Sequence, residues 1–419
     1  MGLQLKFLND YRYISKPVKN VIASEFFIQL VNATFMNILP LYMARKGFAD
    51  KDIALFITFR FIGVFALAIP LGQMIKRKRL MPLFVLSNIC VPLFGLLIVL
   101  FIAMGLKTAA IIVLLLWGAS FTFTQIPVLP YILRNSDKAH QTAAISLSYS
   151  TWSFGGIVSG ILISLLDVIH PILFDEQFIL IFFSLAGFGG LFYLSKNRRF
   201  EEIMDEEQSL SAADEKEGTD WPLVIKALIP TLIIATGAGL TIPFISLFFD
   251  KVHGVGKGGF SLLSFMASLL VAWGAMLVPR IKTSIGYQIA IPTTQSLAVV
   301  SLVALASTQF FSHLPVALAI ASFCYLLRQP LMNMAGPMTS EIVMNYVGKK
   351  NREITSALTS AIWSGSWVLS GFMVTVLLSW NLSFGNIFLI TAMLYAFGVI
   401  LYYLLILDYK KRVEQGLSE

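Results

Sequence analysis

The chain has 419 residues, a formal net charge of +8 and a hydrophobic content of 57%, which includes 34 phenylalanines. Its mean hydropathy of +0.78 excludes an ordinary soluble domain. Because every backbone amide in lipid must be paired inside the protein, this composition indicates a bundle of membrane-spanning helices.

Twelve apolar stretches follow one another, each long enough to cross a hydrocarbon core of about 30 Å as a helix. The first six are residues 18–44, 53–75, 81–105, 108–133, 142–167 and 177–194. The last six are residues 222–249, 260–279, 287–307, 314–344, 354–378 and 384–407. We therefore predict an all-α polytopic membrane protein with twelve transmembrane helices in two pseudo-symmetric bundles of six.

The predicted domain organisation follows from these spans. An N-terminal segment (1–17) leads into a first bundle (18–195), a linker (196–221), a second bundle (222–407) and a tail (408–419). Within the linker, residues 201–220 carry nine acids and one lysine, a composition typical of a solvated tether.

Lysine and arginine concentrate at one end of the predicted spans. That end holds the N-terminal basic residues, the run 76–79, the basic residues after the fourth, sixth, eighth and tenth spans, and the tail. Since short cytoplasmic loops carry an excess of positive charge, both termini are predicted to be cytoplasmic in a cell inner (plasma) membrane. The net charge is therefore a topology signal, and membrane lipids rather than nucleic acid are the expected partners.

The two halves repeat three short patterns in the same order. Trp152-Ser153 and Ser159-Gly160 recur at equal spacing as Trp363-Ser364 and Ser370-Gly371. The other matches are Ile126-Pro127 with Gly336-Pro337, and Leu39-Pro40 with Ile242-Pro243. Three matches in one order indicate duplication of a six-helix unit.

Twelve spans, a six-plus-six duplication and a charged central loop resemble the major facilitator superfamily. After the second span that family carries the pattern Gly-x-x-x-Asp-Arg-x-Gly-Arg. Residues 72–79 keep the leading glycine and the basic run but lack the aspartate and the second glycine. The small-residue series 156–160 lacks the proline of the family's antiporter signature, which argues against drug/proton antiport. The resemblance implies a monomeric secondary transporter whose halves rock about a central site.

Glu25 is the acid that lies well inside a predicted span, on one helix face with Gln29 and Asn32. An ionisable group at membrane depth is costly, so it is expected to face the bundle interior and to mark a pathway or a partner. Two interpretations stay open. The carboxylate either carries the coupling proton, or it is tied to a basic or amide neighbour that holds helices together.

Two arginines, Arg60 and Arg328, also fall inside predicted spans. A rise of about 1.5 Å per residue places Arg60 and Glu25 at different depths, so no direct pair is expected. Arg328 begins a polar run in which Pro330 frees a backbone carbonyl, as transporter substrate sites tolerate. Its guanidinium offers a forked, permanently charged donor to a carboxylate or phosphate. The other substrate-binding candidates are Gln29, Asn32, Gln125, Gln329, Asn333, Trp152 and Trp363.

The expected function is secondary active transport of a small organic anion or polar metabolite, with proton coupling through Glu25. Efflux of amphipathic compounds and transport of lipids are alternatives, and a non-transporting membrane enzyme or sensor is a further one. Lys226 is expected to extend to the cytoplasmic surface. The four histidines lack metal-ligand spacing, and no phosphate-binding loop of the type Gly-x-x-x-x-Gly-Lys-Ser/Thr occurs, so no enzyme activity, metal or cofactor is predicted.

Overall fold

The computed structural model describes residues 13–75, 79–136, 141–197 and 220–415. Several features singled out in the sequence lie outside these ranges. They are most of the N-terminal segment, the basic residues Lys76, Arg77, Lys78, Lys138, Arg198 and Arg199, and the acidic run 201–219. The described residues are mainly helical and contain no strand.

The helices are numbered in chain order. Before the linker they are α1 (Lys16–Arg45), α2 (Asp50–Met74), α3 (Met81–Ala103), α4 (Lys107–Gln125), α5 (Val128–Asn135), α6 (Gln141–Ile169), α7 (Glu176–Gly187) and α8 (Gly189–Ser195). After the linker they are α9 (Trp221–Thr241), α10 (Ile245–His253), α11 (Lys257–Ser307), α12 (Pro315–Ser379) and α13 (Phe384–Glu414). Short 3₁₀ turns occupy Ile242–Phe244 and Thr308–Phe311.

Side chains at several helix starts pair the free backbone amides. The Asp175 carboxylate accepts a hydrogen bond from the amide of Phe178 at 2.8 Å, where α7 begins. Asp220 accepts one from the amide of Leu223 at 3.2 Å at the start of α9. Because a helix leaves its first amides without partners, these acids define where the two helices begin.

Eleven helical segments of the described residues are long and apolar enough to cross a membrane. The second predicted span corresponds to α2, a 25-residue helix that also carries Asp50, Asp52 and Arg60. The prediction of an all-α polytopic membrane protein is confirmed.

Two pairs of predicted spans are joined without the loops expected from the sequence. α11 runs through the eighth and ninth spans, and α12 runs through the tenth and eleventh. Each contains one non-helical glycine, Gly286 (φ 69°, ψ 167°) and Gly348 (φ 73°, ψ 168°), at which two helices meet. The four spans remain separate segments, and helical backbone extends beyond the predicted span ends as far as the glycine. Glycine alone readily adopts this backbone conformation, so a single residue can separate the two helices.

Replacing Gly348 with alanine is expected to destabilise the protein by about 1–3 kcal/mol, because a Cβ strains a backbone with positive φ. No heavy atom lies within 4 Å of a Cβ built at this position, so the requirement is conformational and not one of space. Melting of the purified protein measures the loss. Gly336→Ala is the matched control, since Gly336 is also free of neighbours within 4 Å but has no positive φ. Equal melting temperatures for the two variants would contradict the prediction.

The described residues fall into two compact units. One comprises those within 1–47 and 59–216, and the other comprises those within 48–58 and 217–419. In the first unit, α1 packs against α3, α6, α7 and α8. In the second unit, α9 packs against α12 and α13, and α11 packs against both of these helices.

Small residues bring helices close together in both units. A Cβ built on Gly155 of α6 would lie 2.9 Å from the carbonyl carbon and oxygen of Gln29 in α1. In the second unit, a Cβ built on Gly239 of α9 would lie 2.6 Å from the Cβ of Ser370 in α12. The Ser370 hydroxyl also donates to the carbonyl of Thr236 at 2.6 Å. Both contacts join the first and fifth predicted spans of a half, as expected for small residues in membrane helices.

Candidate functional site

Polar side chains of the first unit are concentrated on α1, where Glu25, Gln29 and Asn32 are all buried. The Glu25 carboxylate is 6% exposed and accepts a hydrogen bond from the Ser148 hydroxyl of α6 at 2.6 Å. Thr151, one turn further along α6, also interacts with this carboxylate. No described cation forms an ion pair with Glu25. Its partners among the described residues are therefore hydroxyl groups of α6.

Arg60 of α2 is buried against α1 and α4. One guanidinium nitrogen, Nη2, donates to the Asn32 side-chain oxygen, and Nη1 contacts the Met36 sulfur. The guanidinium carbon lies 4.6 Å from the ring centre of Trp117 and 5.3 Å from that of Phe121. Such cation–π contacts stabilise a desolvated cation. The Nε atom has no hydrogen-bond partner among the described residues, so one donor is left over.

The Asn32 amide joins Arg60 to the rest of the polar face. Asn32 donates to the Gln29 side-chain oxygen at 3.1 Å while its own oxygen accepts from Arg60. Arg60, Asn32 and Gln29 therefore form one chain of hydrogen bonds inside the first unit. Glu25, one turn before Gln29, interacts with hydroxyl groups of α6 and lies outside that chain.

A cavity of about 220 Å³ lies inside the second unit, lined by residues of α9, α11, α12 and α13. The predicted residues Arg328, Gln329, Asn333 and Trp363 all line it. Its other polar lining residues are Thr231, Gln295, Thr339, Ser340, Thr359, Tyr395 and Tyr402. Methionine, isoleucine, valine and alanine side chains complete the walls. This lining combines an apolar enclosure with a few converging polar groups, which is the usual composition of a ligand site.

Arg328 is the charged group of this cavity and is 1% exposed. Its Nη2 donates to the Tyr395 hydroxyl at 3.2 Å, and its guanidinium carbon lies 5.7 Å from the ring centre of the same tyrosine. Its Nε has no hydrogen-bond partner among the described residues. The hydrogen-bonding partner of this buried cation is a neutral hydroxyl. The cost of removing the charge from water is therefore not offset by an opposite charge.

Two further cavity groups carry hydrogen-bonding capacity. The side-chain oxygen of Gln295, which is 3% exposed, has no partner among the described residues. The Thr231 and Tyr402 hydroxyls pair with each other at 2.8 Å. The cavity therefore offers one buried acceptor near its wall in addition to the arginine donors.

The remaining predicted residues have other surroundings. Gln125, the last residue of α4, is exposed, and Trp152 on α6 is 54% exposed. Trp363, the equivalent of Trp152 in the sequence repeat, is 40% exposed and lines the cavity of the second unit. Asn333 is exposed, and its amide donates to the carbonyl of Gln329 at 2.8 Å.

Sequence reasoning missed several of these partners. Ser148, Trp117, Phe121 and Tyr395 look like ordinary hydroxyl or aromatic residues of apolar helices, and they contact the predicted residues only in the folded chain. A usable signal was the position of Tyr395 inside an apolar predicted span, since a buried tyrosine hydroxyl needs a partner.

Lys226 was expected to extend to the membrane surface. Its side chain is 58% exposed, and its ammonium group forms an ion pair with Asp408 of α13 at 2.8 Å. The Tyr346 hydroxyl donates to the same carboxylate oxygen. The second turn of α9 and the last turns of α13 are thus joined by a charged cluster.

Membrane-spanning helices around buried polar groups and an internal cavity define this protein as a membrane transporter rather than an enzyme. Residues 21–371 match the family model described as Major Facilitator Superfamily, and the chain belongs to that family. The predicted family resemblance is therefore confirmed. No curated protein sequence matches the chain.

Solved structures of transporters share this fold. A bacterial homologue of the iron transporter ferroportin, in an inward-facing state, superposes with a TM-score of 0.72 at 12% identity, covering 94% of this chain and 98% of that one. A POT family transporter in complex with 5-aminolevulinic acid gives 0.72 at 12% identity, with coverages of 94% and 96%. A D-xylose-proton symporter gives 0.70 at 10% identity, with coverages of 91% and 97%. At such identities the likeness concerns the fold alone.

Proposed function

We propose that this protein is a secondary active transporter that moves a small organic anion across the cell inner membrane by alternating access, as a monomer with cytoplasmic termini. The observation that carries the proposal is Arg328, a buried cation that lines the cavity of the second unit with an unpartnered Nε. A ligand carboxylate would supply the missing opposite charge. It would also accept the planar pair of donors that a guanidinium presents.

The polar groups around Arg328 favour an anion that also carries a hydrogen-bond donor. The Tyr395 hydroxyl accepts from Arg328 and so keeps its own proton to donate. The side-chain oxygen of Gln295 is an acceptor without a described partner. A carboxylate bearing a hydroxyl or amino group would satisfy both kinds of group. Gln329, Asn333 and Trp363 complete the proposed ligand site in this unit.

Proton coupling through Glu25 is the second part of the proposal. A buried carboxyl group held by hydroxyls can gain or lose a proton without breaking an ion pair, which suits a carrier of the coupling proton. The chain of Arg60, Asn32 and Gln29 is the proposed second set of substrate contacts. The D-xylose-proton symporter of the same fold supports coupling to protons by analogy only. Gln125 and Trp152 stay predictions.

Efflux of amphipathic compounds is a second candidate. It is favoured by the apolar part of the cavity lining, in particular Met332, Met344 and Trp363. Methionine and tryptophan accommodate ligands of varied shape because one is flexible and the other is large and amphipathic. This candidate would not use the charge of Arg328, so the two functions predict different ligands.

A ligand panel tests the proposal. The purified protein is melted with hydroxy- and amino-carboxylates (5-aminolevulinic acid among them), unsubstituted carboxylates, phosphorylated metabolites, sugars and lipophilic cations. A ligand at about 100 times its dissociation constant adds about 2.7 kcal/mol to the native state. Substituted carboxylates are expected to raise the melting temperature most. Stabilisation by lipophilic cations alone would reject the anion proposal and favour efflux.

A further inference from the structure

A second cavity lies on the surface of the second unit, at the end where α9 begins and α13 ends. It is a groove of about 370 Å³ whose rim carries Lys226, Asp408 and Lys411. Ile229, Leu401 and Leu404 are among the residues that form its apolar wall. The predicted substrate site of the same unit shares none of these residues.

The charge of the rim is positive. Lys226 and Asp408 neutralise each other through their ion pair at 2.8 Å. Lys411, one turn after Asp408, is exposed and forms no ion pair with a described residue. Arg412, the next residue of α13, does not line the groove, and its guanidinium carbon lies 5.4 Å from the ring centre of Tyr346. An anionic group would therefore be attracted to this rim.

The apolar wall lies deeper along the two helices than the charges do. Counting about 1.5 Å per residue, Leu401 lies roughly 10 Å further into α13 than Asp408. Ile229 follows Lys226 by one turn of α9. Ile229 is 42% exposed and Leu404 is 52% exposed, so both present apolar surface outside the protein core. Since α9 and α13 are membrane spans, this surface adjoins lipid.

We propose that the groove between α9 and α13 is a specific site for an anionic phospholipid. The phosphate binds at Lys411, the rim cation that forms no ion pair with a described residue, and one acyl chain lies along Ile229, Leu401 and Leu404. The rim is charged and the surface below it, along both helices, is apolar. A phospholipid has the same order of groups, with a charged headgroup followed by acyl chains. The site is independent of the anion transport proposed above, because none of its residues lines the substrate cavity.

Thermal melting of the purified full-length protein tests the site. Phosphatidylglycerol is expected to raise the melting temperature by about 3 °C more than phosphatidylcholine with the same acyl chains. Inorganic phosphate, which lacks acyl chains, is expected to have no effect. An equal rise with both lipids would overturn the proposal, because it would show that only the apolar groove matters.

Three variants locate the effect. Lys411→Glu is expected to abolish the additional rise with phosphatidylglycerol. Lys410→Glu is the matched control, since it makes the same charge change at a neighbouring exposed lysine that does not line the groove. Ile229→Trp keeps both lysines but fills the groove, and it is also expected to abolish the rise. Equal loss in Lys410→Glu would indicate diffuse attraction, and retention in Lys411→Glu or Ile229→Trp would contradict the assigned contacts.

Discussion

Arg328→Lys is expected to weaken anion binding roughly 10- to 100-fold, although it keeps a positive charge. A hydrogen bond to a charged group contributes about 1.5–3 kcal/mol, and about 1.4 kcal/mol changes a dissociation constant tenfold. Lysine lacks the planar fork and the Nε donor that is unpartnered in this cavity. Arg328→Gln, which also loses the charge, is expected to bind anions more weakly still. Isothermal titration with the carboxylate that gives the largest melting shift measures both losses.

Thr359→Val is the matched control for this series. Thr359 lines the same cavity, and its hydroxyl donates to the carbonyl of Thr355 in its own helix at 2.8 Å. Valine has nearly the same shape, so anion binding is expected to change less than threefold, within about 0.6 kcal/mol. The melting temperature without ligand reports whether each variant is folded. Anion affinity equal to wild type in folded Arg328→Lys and Arg328→Gln would show that the arginine has a structural role.

Glu25→Gln is expected to abolish uphill transport while leaving exchange intact. One proton moving down a gradient of one pH unit releases about 1.4 kcal/mol, enough for a tenfold accumulation of a co-transported solute. Glutamine keeps an acceptor for the Ser148 hydroxyl but cannot release a proton. In proteoliposomes with an imposed pH gradient, the variant is expected to equilibrate labelled carboxylate without concentrating it. Counterflow of labelled against unlabelled carboxylate is expected to continue.

Ser148→Ala tests whether coupling needs the Glu25 carboxyl group itself or its hydrogen bond to Ser148. This variant removes the hydroxyl that donates to Glu25 at 2.6 Å but keeps the titratable carboxyl group. It is therefore expected to accumulate carboxylate under a pH gradient, with an altered pH dependence. If Glu25→Gln concentrates the solute as wild type does, Glu25 does not carry the coupling proton. Loss of both accumulation and counterflow would instead support the structural interpretation of Glu25.

The helical class of the protein could be predicted from the sequence because the signal is local. A run of about 20 apolar residues specifies a spanning helix wherever its neighbours lie. The joins within α11 and α12 could not be predicted in the same way. Gly286 and Gly348 look like ordinary glycines, and only their positive φ values show that each replaces a loop. Hydropathy indicates which segments lie in lipid. It does not indicate how many residues connect one helix to the next.

In the candidate site, the charged residues could be predicted from the sequence, but their partners could not. Glu25, Arg60 and Arg328 stand out in the sequence because a charge within an apolar helix is costly and rare. Their partners do not stand out, since Ser148 is 123 residues from Glu25 and Tyr395 is 67 residues from Arg328.

Sequence alone determined that this is an all-helical membrane protein whose apolar spans contain Glu25, Arg60 and Arg328, because hydropathy and charge can be read residue by residue. Tertiary structure decided which groups satisfy those charges. It placed Glu25 beside a hydroxyl, Arg60 among aromatic rings and Arg328 at the wall of a cavity with Nε unpartnered. These contacts depend on the packing of helices that are far apart in the sequence. The groups that pair with each buried polar side chain therefore cannot be identified from its local sequence.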